Sequence, residues 1–166
     1  MGLAIRAYRK MTKIKNVVID EEDPVLDDGL VVIVRANQDW PERLEGVEGG
    51  VYRSLSILDV GKIGSYSSYS SFRNELAKLS FQGRSASDVW AETEMGHLNE
   101  GPFFELINFS DCDGLIGPKI SSKLSKDFAE WNDRAYEHFV PYDYERYKQL
   151  RLAFEFASDN GVVKFC

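Results

Sequence analysis

The sequence predicts an α+β fold in which a mostly antiparallel sheet is covered on one face by two long C-terminal helices. Residues 30–34 form a continuous, mostly β-branched apolar run, which is typical of a central strand. From Pro118 to Phe139 apolar side chains recur every three or four residues, and residues 143–158 repeat this helical pattern. With 166 residues, 43% of them hydrophobic, the chain can bury the core of one domain spanning residues 1–166.

The N-terminal half combines short strands with turns. Strands are predicted over residues 3–9, 17–19 and 51–58. The acidic segment 20–28 is rich in turn-forming residues, so we interpret it as a solvated hairpin tip, with cation binding as the alternative. Phe72, Leu76 and Leu79 indicate a helix after a serine-rich stretch, and a second short helix is predicted over residues 88–95.

The C-terminal half contains the longest helical patterns. Residues 103–109 are apolar and predict a strand that runs into a polar loop, residues 110–114. Pro118 suits the first position of the following helix, where its missing N–H costs no hydrogen bond, and Pro141 ends that helix. Gly161 supplies a cap for the next helix, and residues 162–165 predict a final strand.

Composition narrows the partners that the protein can take. The net charge of −7 disfavours direct nucleic-acid binding, which depends on cationic contacts with phosphates. The sequence shows no secretory signal and no apolar run near the roughly 20 residues of a membrane span, so we expect a cytoplasmic protein that does not bind membranes. Its two cysteines suggest neither a disulfide framework nor a zinc set, and no metal or cofactor is expected. The sequence is compatible with a homo-oligomer.

Two hydroxyl-rich helix starts, residues 65–71 and 117–122, are the main candidates for a ligand site. A helix N-terminus offers free N–H groups and a positive dipole end, which suit an anion. Residues 65–71 contain five serines, more than one helix cap requires. A nearby arginine could pair with the anion, tyrosines could stack on a base, and the polar loop could add contacts. The candidate ligand-binding residues are Ser65, Tyr66, Ser68, Tyr69, Ser70, Arg73, Ser110, Asp111, Asp113 and Ser121.

A catalytic alternative centres on Cys112. Its neighbours Asp111 and Asp113 could converge with His97, Glu100 and Glu105 in a metal site, or His97 could activate the thiol as a nucleophile. The Asp-Cys-Asp-Gly sequence also suits a turn, because Asp bonds nearby amides and Gly adopts positive φ. We therefore predict a structural role for Cys112.

Four tyrosines near the predicted helix–helix turn allow a third hypothesis. Exposed tyrosines beside acidic residues are common in protein interfaces, although core packing explains buried ones. The set consists of Tyr136, Tyr142, Tyr144 and Tyr147. An acidic protein with such a surface could inhibit a basic host protein.

Three sequence runs carry a resemblance to a known group of proteins. They are Met1-Gly2-Leu3, residues 64–69 (Gly-Ser-Tyr-Ser-Ser-Tyr) and residues 104–114 (Phe-Glu-Leu-Ile-Asn-Phe-Ser-Asp-Cys-Asp-Gly). The chain resembles a family of uncharacterised bacterial and phage proteins. The resemblance implies a phage or prophage gene and a role against host defence, and it supplies no established activity and no catalytic residues.

These observations together predict a small binding protein without catalytic activity. The expected ligand is a small anionic, nucleotide-like molecule held at the helix N-termini. An acidic inhibitor of a host protein is one alternative, and a hydrolase or transferase that uses Cys112 and the loop carboxylates is the other.

Overall fold

The computed structural model describes residues 2–15, 29–109 and 112–166. The strands are β1 (Ala4–Arg9), β2 (Thr12–Lys13), β3 (Val31–Val34), β4 (Gly50–Arg53), β5 (Ser56–Lys62), β6 (Gly114–Ile116) and β7 (Val163–Phe165). The helices are α1 (Tyr66–Ser80), α2 (Ala86–Glu94), α3 (Phe104–Ile107), α4 (Pro118–Glu130), α5 (Asn132–His138) and α6 (Pro141–Ala157), with a short 3-10 helix at Pro41–Leu44. The predicted strand 17–19, the acidic segment 20–28, Ser110 and Asp111 lie outside the described residues.

The larger sheet has four strands in the order β5-β1-β7-β6, and each neighbouring pair is antiparallel. The predicted final strand is therefore confirmed, and it lies inside the sheet between β1 and β6. Gly161 allows β7 to lie beside β1, because a Cβ at residue 161 would overlap the Tyr8 carbonyl oxygen and lie 2.9 Å from the Arg9 Cα. The chain thus enters β7 in contact with the backbone of β1.

A smaller antiparallel sheet has the order β2-β4-β3. It joins the larger sheet through a second buried cluster that includes Val32, Val34 and Tyr52 from the small sheet and Tyr8 and Leu115 from the large one. The run at residues 30–34 contains β3, which among the described strands lies at an edge of the smaller sheet and not in the predicted central position. Among the described strands β3 pairs only with β4, and its β-branched residues are buried by the contact between the sheets.

The two long C-terminal helices form the layer above the larger sheet. Helix α6 packs on β1, β5 and β7, and α4 packs against α6. Phe128 of α4 lies between aromatic rings, with ring centroids 4.7 Å from Tyr147 and 5.9 Å from Phe154 of α6. The predicted α+β architecture is confirmed.

Two predicted element boundaries are wrong. The helix from Pro118 to Phe139 is divided at Trp131, whose ψ of 4° separates α4 from α5 while Ala135 and Phe139 stay buried. The predicted strand 51–58 is also two strands, β4 and β5, which belong to different sheets. Ser54 separates them, and its hydroxyl bonds to the carbonyls of Arg9 and Ser56 instead of facing solvent.

Residues 103–109 do not form the predicted strand but contain the helical turn α3. Phe103 adopts a left-handed conformation with φ of 58°, and its N–H donates to the Asp127 carboxylate at 3.0 Å. The apolar residues that follow are buried on every side of this turn. A short, mostly apolar run fits a buried helical turn as well as a buried strand, so its pattern alone could not distinguish them.

Candidate functional site

The start of α1 uses much of its serine cluster within the fold. Ser65 caps the helix by accepting a hydrogen bond from the Ser68 N–H at 3.2 Å. The Ser71 hydroxyl donates to the Ser67 carbonyl at 3.1 Å. The Ser68 hydroxyl accepts from Arg146 Nη2 at 2.6 Å, and the same guanidinium binds the Ile63 carbonyl and Asp143. Ser68 thus secures α1 to α6, whereas Ser65 and Ser71 bond within the first turns of α1.

Two residues proposed to face the ligand at this helix start are buried instead. Tyr69 is 0% exposed, and its ring packs against Phe72 and Phe165, so the prediction that it stacks on a base is wrong. Arg73 is 4% exposed and donates from Nη1 to the Phe109 carbonyl at 2.5 Å. Its guanidinium points away from the serine-rich surface because α1 turns that side into the core.

Carbonyl groups of the 3-10 helix region accept hydrogen bonds from the backbone N–H groups at the start of α4. The Gly117 N–H donates to the Arg43 carbonyl at 2.7 Å, and the Lys119 N–H donates to the Glu45 carbonyl at 3.3 Å. Ser121 is 0% exposed. The start of α1 is held instead by Arg146 of α6. The described cavity beside the start of α1 has no lining residue from the start of α4.

The remaining serines of α1 border a shallow groove that is acidic. Its described lining includes Ser67, Ser70 and Ser71 together with Glu75 and Asp143, but no lysine or arginine. Tyr66 is half-buried and packs against the main hydrophobic core. Glu75 already pairs with Lys78 at 2.7 Å and Asp143 with Arg146 at 3.0 Å, so the described lining offers an anion no unpaired cation and does not suit the predicted ligand.

A different cavity carries unpaired positive charge, and we call it the cationic cleft. It encloses about 540 Å³ between the end of β3, the loop at residues 36–39, the start of β6, and β7. Arg35 is exposed, Lys164 is half-buried, and neither forms an ion pair with a described residue. The lining residues are Ile33, Arg35, Ala36, Asn37, Gln38, Asp39, Asp113, Gly114, Leu115 and Lys164.

The loop that borders the cationic cleft is held by a local hydrogen bond. Asn37 Oδ1 accepts from the Asp39 N–H at 2.9 Å, which forms a tight turn. Gly114, opposite this turn, has φ of 140°, and a Cβ there would lie 2.7 Å from the Phe109 ring and 3.4 Å from Asn37 Nδ2. A glycine is needed at this position because both the backbone angle and the close contact disfavour a side chain.

A second cavity, the aromatic pocket, adjoins the first at Asp39. It encloses about 530 Å³ and is lined by Asp39, Trp40, Arg73, Trp90, Thr93, Glu94, Asn108 and Phe109. The Trp40 and Phe109 ring centroids are 5.8 Å apart. Trp90 donates from Nε1 to the Ile107 carbonyl at 2.9 Å, and the Arg73 guanidinium lies 5.6 Å from its ring. These contacts fix the pocket walls without a ligand.

Of the sequence-predicted ligand residues, Asp113 lines the cationic cleft and Arg73 lines the aromatic pocket. Sequence reasoning missed the other lining residues. Lys164 is a single charged residue within the otherwise apolar run 162–165, and Trp40 lies in a loop beside Pro41. Either feature could have signalled a site, but only the packing of the two sheets against each other shows that Arg35 and Lys164 lie at one cavity.

One residue of the catalytic alternative, Glu105, is engaged in an ion pair elsewhere in the described structure. Glu105 pairs with Lys123 at 2.7 Å, and Lys123 also pairs with Asp127 at 2.7 Å. Cys112 and His97 are both exposed. Within residues 2–15, 29–109 and 112–166, no three His, Cys, Asp or Glu side chains are grouped so that they could hold a metal ion.

We expect Cys112 to react with an alkylating agent at about the rate of an ordinary exposed thiol. The second exposed cysteine, Cys166, provides an internal reference. Peptide mass spectrometry during iodoacetamide treatment at neutral pH would measure both rates. If Cys112 reacted at least about tenfold faster than Cys166, it would behave as an activated thiolate, and the structural assignment would be wrong.

The tyrosine set is divided between the core and the surface. Tyr147 is 0% exposed and donates from its hydroxyl to the Phe128 carbonyl at 2.6 Å, so core packing explains it. Tyr144 is half-buried and donates to Asn132 Oδ1 at 2.9 Å. Tyr136 and Tyr142 are 69% and 63% exposed. Two of the four tyrosines therefore remain accessible to a partner.

Comparisons of this chain with protein-family models, with curated proteins and with solved structures gave no match. Among the helices in the described part of the chain, none combines the length and the apolar character that crossing a membrane requires. The functional assignment therefore depends on the two cavities and their chemistry.

Proposed function

We propose that this protein binds a small anionic ligand in the cationic cleft. The observation that supports this function is the position of Arg35 and Lys164 at one cavity, without an ion pair to a described residue. The chain has 27 acidic and 20 basic residues, so carboxylates to pair with them are plentiful. Although Asp39 and Asp113 also line the cavity, neither forms an ion pair with Arg35 or Lys164, so both cations can contact a bound anion.

The two cations offer complementary contacts. The Arg35 guanidinium presents a planar fork of N–H donors that matches a phosphate or carboxylate. Lys164 provides a compact charge from β7, which is fixed between two strands. Asp39 and Asp113 also line the cleft and repel a bare polyanion, but their oxygens can accept hydrogen bonds from hydroxyl groups. The best fit is a monoanionic or phosphorylated molecule with several hydroxyls.

This proposal keeps the ligand class expected from the sequence but moves the site away from the helix N-termini. The resemblance to phage proteins supports one further step of the proposal. A phage protein that sequesters a small host signal would act against host defence by binding alone. Such a role requires a rigid cavity and no reaction.

We expect Arg35→Gln and Lys164→Gln each to weaken binding at least about tenfold, which corresponds to about 1.4 kcal/mol. Each variant removes one cation from the cleft while keeping a polar side chain of similar length. Calorimetric titration with inorganic pyrophosphate, ribose 5-phosphate and guanosine monophosphate would measure the effect. Lys119→Gln is the matched control, because Lys119 is exposed and pairs with Glu45 away from the cleft.

The proposed function would be wrong if the parent protein bound none of these three anions. It would also be wrong if both cleft variants bound them as tightly as the parent. Thermal melts of all three variants would show whether the fold is retained, which we expect because Arg35 is exposed and Lys164 is half-buried.

The exposed tyrosines favour a second candidate function, the docking of a basic protein. Tyr136 lies beside Asp133 and Glu137 on α5, and neither carboxylate forms an ion pair with a described residue. Failure of every anion in the titration would move this candidate ahead of ligand binding.

A further inference from the structure

We propose that the ligand is a guanine nucleotide, with its base in the aromatic pocket and its phosphate in the cationic cleft. This inference rests on the proposed function, because it assigns the ligand class of the same site. It is supported by the cavity next to the cationic cleft, which contributes nothing to binding a simple anion.

The aromatic pocket has the shape and composition of a site for a planar ring. Trp40 and Trp90 provide half-buried ring surfaces beside the buried Phe109, and a volume of about 530 Å³ accommodates a purine. Trp90 is held by its hydrogen bond to the Ile107 carbonyl, so its side chain would lose little conformational freedom when a ring stacks on it. Stacking on aromatic side chains binds any nucleobase, so the base identity must come from polar groups.

Two polar residues of the aromatic pocket, Arg73 and Asn108, donate to the Phe109 and Phe104 carbonyls. Thr93 and Glu94 are therefore the groups considered for contact with a base. Glu94 is exposed and forms no ion pair with a described residue. The Thr93 hydroxyl donates to the Val89 carbonyl at 2.7 Å, so toward the pocket its oxygen can only accept. Guanine presents a ring N–H and an amine side by side, which suit one carboxylate, whereas adenine presents one amine beside an acceptor nitrogen. Glu94 therefore favours guanine over adenine.

Asp39 connects the two parts of the site. It is the residue that lines both cavities, and the turn with Asn37 fixes its backbone. A carboxylate between a base and a phosphate is in the position to accept hydrogen bonds from ribose hydroxyls. The site thus follows the order of the parts of a nucleotide. The aromatic rings match the base, Asp39 matches the sugar, and Arg35 with Lys164 matches the phosphate.

The experiment compares guanosine monophosphate with ligands that lack one part of it. The probes are ribose 5-phosphate, guanosine, adenosine monophosphate and inorganic pyrophosphate, titrated by calorimetry and by tryptophan fluorescence. We expect guanosine monophosphate to bind at least about tenfold tighter than ribose 5-phosphate, because stacking adds to phosphate binding. Its binding should also quench the fluorescence, because the ring contacts two of the three tryptophans.

Two variants test whether the aromatic pocket binds the base and whether Glu94 selects guanine. Trp40→Leu should bring the affinity for guanosine monophosphate close to that for ribose 5-phosphate. Glu94→Gln removes an exposed charge without disturbing the core and should abolish the preference for guanine over adenine. Glu130→Gln, an exposed carboxylate on α4, is the control that should change neither property.

The outcomes separate this inference from the proposed function. If ribose 5-phosphate bound as tightly as guanosine monophosphate and Trp40→Leu had no effect, the base assignment would be overturned while anion binding stood. Equal or tighter binding of adenosine monophosphate would overturn the choice of guanine. If no probe bound, both the inference and the proposed function would be wrong.

Discussion

Replacing Phe128 with alanine should destabilise the protein by about 3–5 kcal/mol, the usual cost of removing a buried aromatic ring. Phe128 is 0% exposed, and its ring lies 4.9 Å from that of Phe103 and 4.7 Å from that of Tyr147. The variant would lose these contacts and leave a cavity between α4 and α6. Urea unfolding followed by circular dichroism would measure the change.

Trp131→Ala is the matched comparison for Phe128→Ala. The sequence pattern predicts both side chains to face the core, but Trp131 is only half-buried and ends α4. The Arg134 guanidinium carbon lies 4.4 Å from the centroid of the Trp131 ring. The loss for Trp131→Ala should therefore be smaller. A Phe128→Ala protein with the unfolding midpoint of the parent would show that α4 does not pack on α6 as described.

Gly161→Ala should prevent β7 from joining the sheet. A Cβ at Gly161 would overlap the Tyr8 carbonyl oxygen and lie 2.6 Å from the carbonyl carbon. The obstacle is backbone, so no side-chain rotation can relieve it, and the cost should exceed the roughly 1–3 kcal/mol typical of an overpacked core. We expect poor folding, loss of the hydrogen bond from the Tyr8 N–H to the Val162 carbonyl, and loss of anion binding at Lys164.

Gly49→Ala is the control for this substitution. A Cβ at Gly49 would lie 3.5 Å from the Val34 carbonyl oxygen, which is an ordinary contact. Its thermal melt should match that of the parent, whereas Gly161→Ala should melt far lower or fail to fold. If the two variants melted alike, the close approach of Gly161 to β1 would be wrong.

The sequence pattern predicts elements well where each has its own periodicity or cap. Helix α6 follows its apolar spacing, and the serine at position 65 caps α1 as a helix-starting residue should. The failures arise where neighbours decide the outcome. The apolar run at residues 103–109 is helical because it is enclosed on all sides, and Trp131 divides one periodic stripe into two helices.

The candidate site was less predictable than the fold for a physical reason. Helix N-termini are visible in a sequence, but whether their amides are free depends on distant residues such as Glu45, which accepts from the α4 start. The cationic cleft, in contrast, is formed by residues that no local pattern in the sequence connects. Arg35 and Lys164 belong to different sheets, and their proximity depends on the packing of Leu115 and Val162 against the smaller sheet.

The insertion of β7 between β1 and β6 also has a consequence for protein synthesis. Strand β1 lies between β5 and β7, and it cannot pair with β7 until residues 163–165 have left the ribosome. Contacts across such long separations are slow to form, and unpaired edges invite association with other chains in the meantime. Because Lys164 lies on β7, a chain in which β7 has not yet joined β1 has only Arg35 of the two cations at the cationic cleft.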